Sequence, residues 1–95
     1  MALIFRGKTD CSICGKVITT GDDIVATSHF VGDVHDPLWR YSDSAMHRWC
    51  FMEWDQRSNF VKKFNDVMGG VIFGNGTSHR MQDDGDIVVV KKTEL

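Results

Sequence analysis

Apolar residues recur along this chain at two different spacings, and the change of spacing divides it into three stretches. Leu3 to Arg6 predicts a short strand, Thr9 to Lys16 a tight turn, and Val17 to Thr20 a strand running into the turn signal Gly21-Asp22-Asp23. From Ile24 to Val31, Val25, Thr27 and His29 alternate against Ala26, Ser28 and Phe30, which predicts the returning strand of a β-hairpin. Gly32 to Pro37 is a polar loop, and Leu38 to Tyr41 predicts a third strand.

The spacing then lengthens. Ser42, Asp43 and Ser44 are all competent helix N-caps, and Ala45 to Trp54 contains neither glycine nor proline. Met46, Trp49, Cys50, Glu53, Trp54 and Arg57 follow at steps of three and four, so one helical stripe carries most of the bulky groups. Ser58 or Asn59 is placed to cap a second helical stretch through Phe60, Val61, Phe64, Val67 and Met68, stopped by Gly69-Gly70. The pattern does not decide between one helix and two.

In the last third the period returns to two. Val71 to Phe73 leads into Asn75-Gly76, a hairpin signal because both central positions of the favoured turn need positive φ. Thr77 to Gln82 and Asp86 to Lys92 are expected to pair around Asp83-Asp84-Gly85, completing a β-meander. Ile87 to Val90 is so continuously apolar that it is not expected to lie exposed on both faces.

Composition narrows this to one α+β domain over residues 1–95. The 95 residues are 42% hydrophobic and 25% charged with a single proline, which excludes a disordered or collagen-like chain and leaves no room for a multi-domain enzyme. Eleven Lys and Arg against 13 Asp and Glu give a net charge of -2, so no global basic field attracts nucleic acid or anionic lipid. The runs Ala2 to Phe5 and Ile87 to Val90 are too short for a signal-peptide core or a membrane span, and no membrane association is expected. Three cysteines leave one over in any disulfide scheme, which fits a reducing, cytoplasmic setting with thiolates used as ligands.

Those cysteines carry the candidate chemistry. Cys11-Ser12-Ile13-Cys14 is a C-x2-C pair and His47-Arg48-Trp49-Cys50 an H-x2-C pair, together using every cysteine in the chain. Cys11, Cys14, His47 and Cys50 make a complete tetrahedral shell for one Zn2+ of the Cys3His kind. Gly15 and Lys16 extend the first pair to C-x2-C-G-K, with glycine permitting the tight return of a zinc knuckle. Residues three apart in a first helical turn share a face, so His47 and Cys50 can converge on the ion from the helix start. A closed four-ligand shell has no open position for water or substrate, so the expected role is structural and no catalytic residue is assigned. A redox C-x2-C normally opens a helix, whereas this one precedes the β-branched run Val17 to Thr20. Haem attachment would require histidine where Gly15 stands.

This arrangement resembles a treble-clef zinc finger over about residues 9–55, and Cys50-Phe51 after His47 is similar to the first zinc module of LIM domains. The resemblance implies a zinc knuckle and β-hairpin followed by an α-helix, with residues 56–95 adding the helix extension and the β-meander. It departs from LIM in the 32 residues between Cys14 and His47 and in the lack of a second cysteine cluster after Phe51. Treble-clef proteins are functionally diverse, so the likeness supplies ligands without supplying an activity.

Two further functions compete with a non-catalytic interaction or adaptor module. HNH-type nucleases share the treble-clef likeness, and His29 is then the candidate base, with His35 and Asp33 or Asp36 an improvised second site. Nucleic-acid binding would draw on Arg40, Arg48, Arg57, Lys62 and Lys63 beside the aromatic cluster Trp39, Tyr41, Trp49, Phe51 and Trp54. The glycine run Gly69 to Gly76 lacks the Lys-Ser/Thr ending of a phosphate loop, and Asp83-Asp84-Gly85-Asp86 lacks the distal glutamate of a calcium loop. A protein partner or self-association through an aromatic face or an unpaired strand edge is the expectation carried forward.

Overall fold

The computed structural model describes residues 4–91 and is a small α+β structure: two two-stranded antiparallel sheets and one main helix. Strand β1 (Ile24–Ala26) pairs with β2 (Ala45–His47), and β3 (Thr77–Met81) pairs with β4 (Ile87–Lys91). Between the sheets lie helix α1 (Arg48–Glu53), which starts directly from β2, and helix α2 (Arg57–Met68).

The N-terminal turn closes as the glycine predicts. Cys11 N–H donates to the Lys16 carbonyl at 2.8 Å, Gly15 N–H donates to the Cys11 carbonyl at 2.9 Å, and Gly15 takes φ 77°. Asp10 and Val17 form an isolated antiparallel bridge beneath it. Its outer side is tied to β2, where Ser12 N–H donates to the Ala45 carbonyl at 3.0 Å.

The expected hairpin of Val17–Thr20 with Ile24–Val31 does not form, and β1 pairs with β2 instead, in the register Ile24↔His47, Val25↔Met46, Ala26↔Ala45. Local polar groups decide this. The Asp22 carboxylate takes the Thr19 N–H at 2.8 Å, and the Ser42 hydroxyl takes the N–H groups of Phe30 and Val31 at 2.8 and 3.2 Å. Residues 27–31 are thus held as a packed loop. Leu38–Tyr41 is likewise not a strand: the Asp36 carboxylate accepts the Leu38 N–H at 2.9 Å, and a 3-10 turn follows over Trp39–Tyr41. Ile4 to Arg6 is turn rather than strand, with the Phe5 carbonyl accepting the Lys8 and Thr9 N–H groups; Leu3 lies outside the described residues.

The first helix begins at Arg48, three residues after the expected start at Ala45. Asp43 sits at φ 55°, a left-handed conformation that stops a helix running through Ser42–Ser44, and residues 45–47 are extended, paired with β1 on one side and bonded to the knuckle on the other through the Ala45 carbonyl and the His47 N–H. His47 is therefore the N-cap. Trp54 turns to an extended conformation at ψ 129°, so the helices are two, and α2 is capped from Gln56 rather than Ser58 or Asn59 and ends at Gly69.

The core gathers around this helix break. Phe51, Phe60, Phe64, Ile18, Met46 and Met81 are all essentially solvent-free, and the Phe30 ring meets both Phe60 and Phe64 edge-on at 5.1 Å. Gly85 in the β3–β4 turn is buried against Val25 and Phe51, so the C-terminal hairpin docks on the same core.

The meander is not complete among the described residues. Val71–Phe73 forms no ladder; a turn over Phe73–Gly76 closes with Gly76 N–H donating to the Phe73 carbonyl at 2.9 Å. Positive φ falls on Gly76 and not on Asn75, whose side-chain oxygen takes the Thr77 hydroxyl and N–H instead. Ile87 to Val90 is exposed on one face only: Ile87 and Val89 are 38% and 66% exposed, while Val88 and Val90 on the other face are half-buried.

Candidate metal centre

Four side chains from two distant segments converge at the knuckle. The sulfurs of Cys11, Cys14 and Cys50 and a ring nitrogen of His47 all lie within 4.8 Å of one another, a cluster that could hold a metal ion. The knuckle turn supplies the first two sulfurs. His47 and Cys50 come from the N-cap and third position of α1, which face the same side of the first turn. His47 is buried, Cys11 is 2% exposed, Cys50 is half-buried and Cys14 lies at the surface.

The distances fit a particular ion geometry. Tetrahedral zinc at about 2.3 Å from sulfur and about 2.0 Å from nitrogen sets ligand atoms about 3.5 to 3.8 Å apart. His47 Nδ1 stands 3.5 Å from Cys14 Sγ and 4.0 Å from Cys50 Sγ, and the widest separation in the cluster exceeds the tetrahedral edge by at most about 1 Å. All three thiols are free rather than disulfide-bonded.

Backbone amides prepare the sulfurs for negative charge. His47 N–H points at Cys11 Sγ at 3.3 Å, and Lys16 N–H at Cys14 Sγ at 3.4 Å. Burial opposes the Cys11 thiolate, but the N–H groups of Cys14, His47 and Ile13 outweigh it and bring the thiol down to about 7. Burial, with Cys14 and Cys11 beside it, pushes Cys50 up to about 12. With its thiol pushed up in this way, Cys50 keeps its proton near neutral pH, and a metal bound there must displace it.

His47 is held on its far side as well. With Nδ1 turned to the sulfurs, Nε2 lies 3.2 Å from Asp22 Oδ2, the same oxygen that accepts the Thr19 N–H and, at 3.1 Å, the Thr19 hydroxyl. The Thr19 N–H, its hydroxyl and the His47 ring together hold Asp22 below the usual carboxylate range. The Trp49 indole stacks on the imidazole, 4.2 Å away and 16° from parallel. Neither Asp22 nor Trp49 is marked by the sequence pattern: one reads as turn and the other as helix stripe.

The other candidate residues are not assembled. His29 and His35 are exposed and belong to no cluster of metal-ligating groups among the described residues; Asp33 accepts the His35 N–H, and Asp36 pairs with Lys63 at 3.0 Å. Four of the five cations weighed for nucleic acid have polar partners, Arg48 on Asp23 and Asp86, Arg57 on the Asp83 carbonyl, Lys62 on Asp66 and Lys63 on Asp36, while Arg40 is exposed and lies over the Tyr41 ring. Of the aromatic cluster, Phe51 is core, Tyr41 and Trp54 are half-buried, and Trp39 and Trp49 are exposed.

Comparison with protein-family models, with curated proteins and with solved structures gives no match for this chain. Among the described residues, no helix is long and apolar enough to cross a membrane.

Proposed function

We propose that Cys11, Cys14, His47 and Cys50 hold one structural Zn2+ in a treble-clef-like arrangement, and that the protein is a non-catalytic interaction module built on it. The convergence of four protein donors at tetrahedral spacing carries this reading. Such a shell is filled by the protein alone, so the metal cross-links the knuckle to the β2–α1 junction and leaves no position for a substrate. Exposed Trp39 and Trp49 support a binding role, and the net charge of -2 with Arg48, Lys62 and Lys63 held in ion pairs argues for a protein rather than a nucleic acid as ligand.

Elemental mass spectrometry of untagged protein, paired with a thermal melt before and after chelation, tests the metal. About one zinc per chain is expected, with loss of the cooperative melt on chelation. Metal-free protein with an unchanged melt would return the cysteines to core or redox roles.

A further inference from the structure

The two outer edges of the C-terminal hairpin are finished differently. Gln82 N–H donates to the Asp86 carbonyl at 2.8 Å, which fixes the alternation of the ladder: Met81↔Ile87, His79↔Val89 and Thr77↔Lys91 are pairs whose backbone groups point outward. On β3 the outward groups of Met81 and Thr77 are occupied, and only those of His79 have no hydrogen-bond partner among the described residues. The Asn65 carboxamide accepts from Met81 N–H at 2.7 Å and donates to its carbonyl at 3.1 Å, and Phe73 N–H donates to the Thr77 carbonyl at 2.8 Å. On β4 the outward N–H and C=O groups of Ile87 and Val89 have no hydrogen-bond partner among the described residues.

Side chains along the open edge do nothing to blunt it. Val89 is 66% exposed and Ile87 38%, no proline interrupts Ile87–Lys91, and the pairing runs without a bulge. Charge is polarised along the strand, with Asp83, Asp84 and Asp86 at its start and Lys91 at its end. An antiparallel partner strand of the same sequence sets each acidic end beside a basic one; a parallel copy would set like beside like.

We infer that β4 is a self-association edge: two copies of this chain pair their β4 strands antiparallel about Val89, joining two hairpins into one four-stranded sheet. In this register Val89 exchanges both backbone bonds with Val89 of the second copy, and Ile87 does so with Lys91 of the second copy. The inference deepens the interaction-module reading by naming a second copy as partner, and it is independent of the metal.

The test is light-scattering mass measurement of zinc-loaded protein over about a hundredfold concentration range. The parent is expected to move from the 10.8 kDa monomer to twice that mass. Val89 is exposed, so Val89→Lys and Val89→Asp leave the fold intact, checked by an unchanged melt; each sets like charges opposite across the two-fold axis and is expected to stay monomeric. Mixing the two variants in equal amounts pairs Lys against Asp and is expected to restore the dimer. A parent that is monomeric throughout, variants that still dimerise, or a mixture that stays monomeric overturns the inference, the first outcome leaving the edge to a strand from another protein. Metal content is read on the same samples, so failure of the zinc reading shows separately.

Discussion

Removing the Asp22 carboxylate should weaken zinc binding without touching any of the four ligands. His47 is almost wholly buried, its side chain 3% exposed, and Asp22 Oδ2 at 3.2 Å is the one partner of Nε2. With Nδ1 given to the metal, the ring proton sits on Nε2 and is donated to that carboxylate. Asp22→Ala leaves this buried donor unpaired, at a cost of about 1 to 3 kcal/mol. The Thr19 N–H and hydroxyl lose the same acceptor, but they lie at the exposed surface, where water replaces it. Converted at about 1.4 kcal/mol per tenfold, the loss is roughly ten- to hundredfold in zinc affinity. Competition against a chromophoric chelator at fixed pH and ionic strength measures it. Asp23→Ala supplies the control, because it removes the same charge one residue away from a side chain that is 72% exposed and bonded to Arg48 rather than to His47. A zinc affinity for Asp22→Ala within about threefold of the parent, or an equal loss in Asp23→Ala, would refute the argument that the hydrogen bond positions the ring.

Two further substitutions probe the frame around the site. A Cβ on Gly85 would stand 2.6 and 2.9 Å from the methyls of Val25 and 3.0 Å from the Phe51 ring, and Gly85 has φ 90°. Gly85→Ala should therefore lose about 1 to 2 kcal/mol to left-handed strain and about 1 to 3 more to overpacking, whereas Gly21→Ala should lose only the strain. At Gly21, φ is 95° and nothing lies within 4 Å. Equal losses in urea unfolding would show that the hairpin turn does not press on the core. The Leu38 N–H, and then Lys63, hold Asp36 below the usual carboxylate range. A depressed folded-state value contributes stability above the ordinary aspartate pKa of about 3.9 that disappears as pH falls through the folded value. The melting temperature of Asp36→Asn should therefore lie below that of the parent at neutral pH and converge with it in acid; a constant gap would count against the Leu38 and Lys63 bonds as its source.

The convergence of Cys11, Cys14, His47 and Cys50 was legible because it depends on spacing that survives any error in secondary structure. C-x2-C needs only a tight turn, and H-x2-C works from the first turn of a helix whichever residue caps it. The α2 stop at Gly69 and the β3–β4 pairing were legible for the same local reasons, whereas the apolar stripe runs on through Trp54 and left the helix break undecided. Where the reading failed, the deciding groups were short polar side chains reaching the backbone. Alternation at Ile24 to Val31 was real, yet Ser42, eleven residues beyond Val31, takes the N–H groups that a hairpin needs, and Asp22 does the same to Thr19. Periodicity records which residues are apolar, not which hydroxyl sits beside them. It is equally blind to Asp22 as a partner of His47, because an aspartate in a Gly-Asp-Asp turn is explained by the turn alone.

The distance in sequence between the ligand pairs explains why so irregular a segment can hold together. Between Cys14 and His47 run 32 residues that contain only β1, one 3-10 turn and the first two residues of β2, and their order rests on the β1–β2 pairing, on the Ser42 hydroxyl and on the phenylalanine cluster. Closing a loop of that length costs about 3 kcal/mol in chain entropy beyond a constant, a cost that a metal bridging its ends offsets. Arg48 then carries the constraint onward from the residue next to His47. Its backbone N–H donates to the Asp23 carbonyl at 2.8 Å, and its guanidinium bridges Asp23 and Asp86 while donating to the Asp84 carbonyl. The C-terminal hairpin is thus fastened to the residue beside a ligand at one end and by Asn65 along β3, which leaves β4 as the edge that nothing in the described chain restrains. A metal bound at the four donors would brace the residue beside Arg48, while the open edge itself lies outside that site.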